Sequence, residues 1–96
     1  MTRYLTIIPK NKAAEKMLSK MIANKVLDGA KTKLERYKQP FNYYVILNPT
    51  SLVLEAENNI LLTATKKLIE RAIPNNVLNF KESNSHEEAF DNGRRN

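Results

Sequence analysis

A small α+β domain, with an antiparallel sheet and helices packed on one face, is the fold class this 96-residue chain predicts. Three observations carry the prediction. Apolar residues recur at helical spacing within residues 12–38. Residues 41–48, FNYYVILN, are dense in the aromatic and β-branched side chains that suit a pleated strand. Asn48-Pro49-Thr50 then reads as a turn into a second extended stretch, so the sheet contains a hairpin. The length suits one domain with a modest core, and 42% apolar residues are too many for general disorder.

The elements follow in order. Residues 3–8, RYLTII, alternate as a strand, with Leu5 and Ile7 on one side and Tyr4, Thr6 and Ile8 on the other. Pro9 lacks an amide donor and closes it. Asn11 is a suitable N-cap for a helix from Lys12, whose apolar arc is Ala14, Met17, Leu18, Met21 and Ile22. On the same helical wheel, Lys25 lands inside that arc, while Ala30, Leu34 and Tyr37 fall on nearly the opposite side. One straight helix would therefore bury a lysine. Two helices are expected instead, about 12–27 and 30–38, with a hinge at Gly29 and an end before Pro40.

After the strand at 41–48, residues 51–56 form the second strand of the hairpin, with Leu52 and Leu54 on one face and Val53 on the other. Residues 57–64 admit a loop and strand, or the start of a helix reaching Ile73. The helix is favoured, because Leu61, Ala64, Leu68 and Ala72 repeat at its spacing and Lys66, Lys67, Glu70 and Arg71 lie off that stripe. Pro74 ends it, and residues 77–81 supply the last strand. From Glu82, ESNSHEEAFDNGRRN has one large apolar residue, Phe90, and no usable period, so the domain is expected over 1–81 and a disordered tail over 82–96. The order β-α-(α)-β-β-α-β is similar to that of the ferredoxin-like sandwich. That likeness is one of topology alone, and such a fold hosts many unrelated functions.

Catalytic chemistry finds little support. His86 is the single histidine and falls in the expected tail, without the fixed partner that a general base needs. With no cysteine, neither a thiolate nucleophile nor a disulfide can form, and the usual zinc ligands are too few. The two glycines, Gly29 and Gly93, cannot make a phosphate-cradling loop. Glu55, Glu57 and Glu70 lack a paired-carboxylate spacing. A non-enzyme is expected, without cofactor or metal. No apolar run approaches the roughly 18–20 residues of a membrane span, and the first residues lack a secretory h-region. A cytoplasmic location is expected, or a nuclear one in a host with a nucleus. The abundance of lysine and asparagine in so short a chain is the composition common among viral and mobile-element proteins.

Charge carries the functional signal. Residues 10–38 hold nine basic groups, Lys10, Lys12, Lys16, Lys20, Lys25, Lys31, Lys33, Arg36 and Lys38, against Glu15, Asp28 and Glu35. The formal charge of +6 therefore sits wholly in this segment. Lys12, Lys16 and Lys20 recur every four residues, which places them in a row on the helix face opposite the apolar arc. Lys10 and Lys12 stand at the helix start, where the macrodipole favours anions over cations. A phosphate backbone beside these groups would turn both penalties into gains. Lys10, Lys12, Lys16, Lys20, Lys31, Lys33, Arg36 and Lys38 are the candidate nucleic-acid contacts, with RNA favoured over DNA.

Tyr4, Tyr44, Ile46 and Val53 would share the sheet face left open by the helices, with Ile8 beside them. That face would either stack bases or, as is commoner for an exposed apolar patch, cover itself in a homodimer. No aromatic lies in residues 51–56 and no RNA-recognition signature occurs, so the dimer is preferred. Tyr37 is expected in core or edge packing, and Gly93-Arg94-Arg95 in a frayed end. The alternative function is a protein-binding regulator or inhibitor, dimeric, that docks an acidic protein surface.

Overall fold

Alternation within the strands decides which residues meet. A computed structural model describes residues 1–94, with β1 (Arg3–Pro9) at the centre of a four-stranded sheet. Leu5 and Ile7 of β1 stand opposite Leu54 and Leu52 of β3 (Ser51–Ala56), and these four form the floor of the main core. Outside β3, the edge strand β2 (Phe41–Ile46) sets Tyr43 and Val45 beside the same leucines. On the other side, β4 (Leu78–Ser83) pairs Phe80 with Ile7. All pairings are antiparallel, in the order β2-β3-β1-β4. Helices α1 (Lys12–Ala23) and α2 (Val26–Arg36) join β1 to β2, and α3 (Asn59–Ala72) with a short 3-10 turn joins β3 to β4. This is the strand order of two interleaved β-α-β units, as the ferredoxin-like expectation has it.

The start of α1 is as expected: Asn11 Oδ1 accepts the Ala14 amide at 2.8 Å. Ala14, Leu18 and Met21 are buried, whereas Met17, expected in the core, lies on the flank at 40% exposure. The break between the helices is real but not where glycine suggests. It falls at Lys25, whose φ of 60° and ψ of 28° are left-handed, while Gly29 lies inside α2 with helical backbone. The cause is the conflict visible on the wheel. A continuing helix would carry Lys25 into the apolar arc, so the chain turns at that residue and leaves its ammonium exposed. The left-handed cost of about 1–2 kcal/mol is smaller than that of burying an unpaired cation.

Asn58 caps α3 by accepting the Ile60 amide at 2.7 Å, which resolves residues 57–64 in favour of the helix. The face that α3 buries is Leu61, Leu62, Thr65 and Ile69, however, and not the stripe Leu61, Ala64, Leu68 and Ala72. Leu62, Ile69 and the following Ile73 offer far more apolar area than Ala64 and Ala72, so they win the sheet side.

The expectation of disorder from Glu82 is overturned. The last strand runs on to Ser83, and α4 (His86–Arg94) crosses the second face of the sheet. Its start has capping chemistry: Ser85 Oγ accepts the Glu88 amide at 3.3 Å, and Glu87 and Glu88 sit in the first turn. Two small residues bring its backbone onto the strands. Thr6 Oγ1 donates to the Ala89 carbonyl at 2.9 Å, and Ser51 Oγ donates to the Gly93 carbonyl at 3.2 Å. Residues 95–96 of the expected tail lie outside the described residues.

The same helix corrects the reading of Tyr4, Tyr44, Ile46 and Val53. They do share one sheet face, but that face is not open. Tyr4 and Val53 are buried with Ala89, and Tyr44, Ile46 and Phe90 pack around them. Apolar area that a base or a second subunit was expected to cover is covered by the chain's own C-terminal helix.

Candidate nucleic-acid interface

The row on α1 is built by its opposite face. Because Ala14, Leu18 and Met21 point at the sheet, Lys12, Lys16 and Lys20 are turned outward and all three are exposed. Successive ammonium stems are about 6 Å apart along the axis, at 1.5 Å per residue. Lys10 precedes the cap, exposed, and its backbone amide is tied to the Val77 carbonyl at 2.8 Å. Lys25 stands exposed at the break.

The second group is less unified. Lys33 and Arg36 are exposed and about 60° apart around α2, whereas Lys31 is half-buried and about 160° from Lys33, on the other flank. Lys38 is exposed just past the helix end, with a left-handed φ of 56°. Expected contacts that lie together are therefore Lys12 with Lys16 and Lys20, and Lys33 with Arg36; Lys31 stands apart.

None of the nine basic groups of residues 10–38 has an ion-pair partner among the described residues. The ion pairs that do occur involve α4, in Arg94 with Asp91 and His86 with Glu55. Asp28 is engaged otherwise: the Tyr43 hydroxyl donates to its carboxylate, which fastens α2 to β2 and pushes the Tyr43 phenol above its ordinary pKa of 10.0. Unpaired cations on an exposed helix face leave a field that a polyanion can use.

Folding also adds cations that sequence reasoning left out. Lys67 and Arg71, four residues apart on α3, stand with Lys33 around a groove of about 370 Å³ between α2 and α3. Between the cations it is lined by Ala30, Leu34 and Leu68, each half-buried, by the exposed Ala64 and by the buried Thr65. The signal lay in the sequence as two outward basic residues at i,i+4 spacing, but only tertiary structure sets them beside Lys33. Lys66, by contrast, turns toward the sheet, with Nζ 4.4 Å from the centre of the Phe80 ring.

A second cluster gathers under α4. Glu55 Oε1 accepts from Asn42 Nδ2 and from the Tyr44 hydroxyl, each at 3.2 Å, and His86 Nδ1 lies 3.8 Å from Glu55 Oε2. Tyr4 and Tyr44 meet the imidazole edge-on, at centroid distances of 5.7 and 5.5 Å, and Phe90 lies 4.4 Å from it. Burial first, and the Glu55 carboxylate beside them second, raise both phenols above the ordinary value of 10.0. His86, read from sequence as a solvated tail residue, is thus a docking residue of α4, although 55% of its side chain remains exposed. Glu55 ties β3 to β2 through Asn42 and Tyr44, and His86 joins α4 to that sheet face through Glu55, Tyr4 and Tyr44, so the cluster's chemistry is that of a clamp.

Among the described residues, no three His, Cys, Asp or Glu side chains gather as a metal site, and no helix is long and apolar enough to cross a membrane. Comparison with protein-family models, curated proteins and solved structures returns no match to this chain.

Proposed function

We propose that this chain is a non-catalytic nucleic-acid-binding module that grips the phosphate backbone with Lys12, Lys16 and Lys20, extended by Lys10, Lys25 and the exposed cations of α2. One observation carries the reading: the basic groups of residues 10–38 stand exposed or half-buried, and none has an ion-pair partner among the described residues. Within α1, each i,i+4 lysine pair costs the helix about 0.2–0.5 kcal/mol, a penalty that a neighbouring polyanion removes. Recognition rests on charge and shape. Lysine at a phosphate positions without reading sequence, and the sheet tyrosines named as base-stacking candidates lie beneath α4. RNA remains the favoured form, because duplex RNA is read mainly through phosphates and shape.

The test is binding of the full chain to labelled RNA and DNA, single- and double-stranded, across a salt series. Neutralising about five phosphates predicts a log–log salt slope of roughly −4.5 on duplex DNA and −3.5 on single strands. The triple variant Lys12→Glu, Lys16→Glu, Lys20→Glu should lose binding while melting like the wild type, and the arginine triple variant should keep it. Unchanged affinity in the glutamate variant sinks the proposal.

A further inference from the structure

We propose that the groove between α2 and α3 is a docking site for an acidic amphipathic helix of a partner protein. The two helices lie on the same face of the sheet without packing closely against each other. What separates them is apolar and small: Ala30 and Ala64 are too short to bridge the space, and Leu34 and Leu68 remain half-exposed beside them. These residues form two i,i+4 pairs, one per helix; Leu34 packs against the edge of the core and stays half-buried, while Ala30, Ala64 and Leu68 lie outside the core cluster. Leu27 of α2 and Leu61, Leu62 and Ile69 of α3 already seal the core. A cleft between two helices, floored by paired apolar residues, receives a third helix by ridge-into-groove packing with anchors at i, i+3 and i+4.

The charge around it selects the partner. Lys33 stands on one side and Lys67 and Arg71 on the other, none in an ion pair among the described residues. Lys67 and Arg71 also repel each other at i,i+4 spacing. A helix with leucines on one face and carboxylates along its flanks satisfies floor and rim together. A phosphate backbone would satisfy the rim but leave Leu34 and Leu68 against charge. An uncharged apolar helix would cover the floor and desolvate three cations without compensation. The acidic flanks would orient the partner and speed its arrival, while the leucines would hold it.

The probe is a fluorescent helical peptide of leucine and glutamate with its leucines on one face, titrated into the full chain. The control peptide has the same composition with the leucine spacing scrambled. Saturable binding tighter than about 1 mM, at least tenfold stronger than the control, is expected. The exposed Ala64→Gln change should weaken it at least tenfold by filling the groove with a polar side chain, as should Lys67→Glu with Arg71→Glu. The Lys12/Lys16/Lys20 glutamate variant should stay within about twofold of wild type, since the row on α1 is not part of this groove. Amide chemical-shift mapping on the unmodified protein keeps the test independent of variant folding, with shifts expected along α2 and α3. Equal binding of the scrambled peptide, no saturable binding, or shifts centred on α1 would overturn the proposal. So would loss of RNA binding on Lys67→Glu/Arg71→Glu as severe as on the α1 variant, which would assign the rim cations to nucleic acid.

Discussion

The two glycines should respond to alanine with opposite signs. At Gly93 a new Cβ would stand only 2.7 Å from Ser51 Oγ and closer still to the Ile46 Cδ1 methyl. The Ile46 methyl is a side-chain tip and can swing away. Ser51 is wholly buried, and its hydroxyl is committed to the Gly93 carbonyl, so it cannot move without breaking that bond. Overpacking costs about 1–3 kcal/mol, and losing the hydrogen bond about 0.5–1.5. Replacing glycine by alanine within a helix returns about 1 kcal/mol. Gly93→Ala should thus destabilise by about 2 kcal/mol. At Gly29 nothing lies within 4 Å of the built Cβ and the backbone is helical, so Gly29→Ala should stabilise by about 0.5–1 kcal/mol. Urea titrations of both variants, read as midpoint shifts at constant slope, give the two free energies. Stabilisation by Gly93→Ala would mean that α4 does not lie on the strands as described. Destabilisation by Gly29→Ala would restore the left-handed hinge that the sequence suggests at that residue.

Other outcomes follow from the same packing. Leu18→Ala should cost about 2–5 kcal/mol because Leu18 is fully buried, while Met17→Ala, on the exposed flank, should cost under about 1; comparable losses in thermal unfolding would mean that α1 is rotated from its described face. Thr6→Val should weaken α4 docking by about 0.5–1.5 kcal/mol, seen as faster amide exchange in residues 86–94 with β1 unaffected. Tyr4, Tyr43 and Tyr44 all have phenols raised above 10.0, so the folded chain holds more protons than the unfolded one as pH climbs past that value. Their stabilising contribution is complete below pH 10.0 and is lost as pH rises through the folded values, which a denaturation series in alkaline buffers would show. Asp28→Asn removes the largest cause at Tyr43 and should bring that phenol down toward the ordinary range; an unchanged phenolate titration would refute the Asp28 contact.

Legibility tracked side-chain size. The strands could be read because Leu5, Ile7, Leu52 and Leu54 alternate with period two, and all four are buried. Asn11 announced its helix, since a side-chain oxygen before an apolar run has a local task, and Asn58 carried the same sign for α3 unread. Where the wheel broke at Lys25, the conflict was visible but its resolution was misplaced, because glycine is the commonest left-handed residue and not a required one. The face of α3 was misjudged because Ala64 and Ala72 count as apolar in a pattern yet contribute little area against Leu62 and Ile69. In α4 the failure was complete. A helix held by Thr6 and Ser51 hydroxyls against the carbonyls of Ala89 and Gly93 needs small residues where a pattern search looks for large ones. The capping pair Ser85 and Glu88 was its one readable sign.

Of the candidate interface, the row Lys12, Lys16 and Lys20 was determined by sequence alone, because four-residue spacing on an amphipathic helix leaves one outward direction for it. The concentration of charge in residues 10–38 was equally a property of the sequence. Tertiary structure decided the rest: that Lys31 parts from Lys33, that Lys33 meets Lys67 and Arg71 across a groove, and that the aromatic sheet face lies under α4. The physical reason is the range over which each feature is set. Periodicity and capping are settled within a few residues of chain. The meeting of α2 with α3, or of α4 with β1, depends on which elements the sheet brings side by side and how closely small residues let their backbones approach.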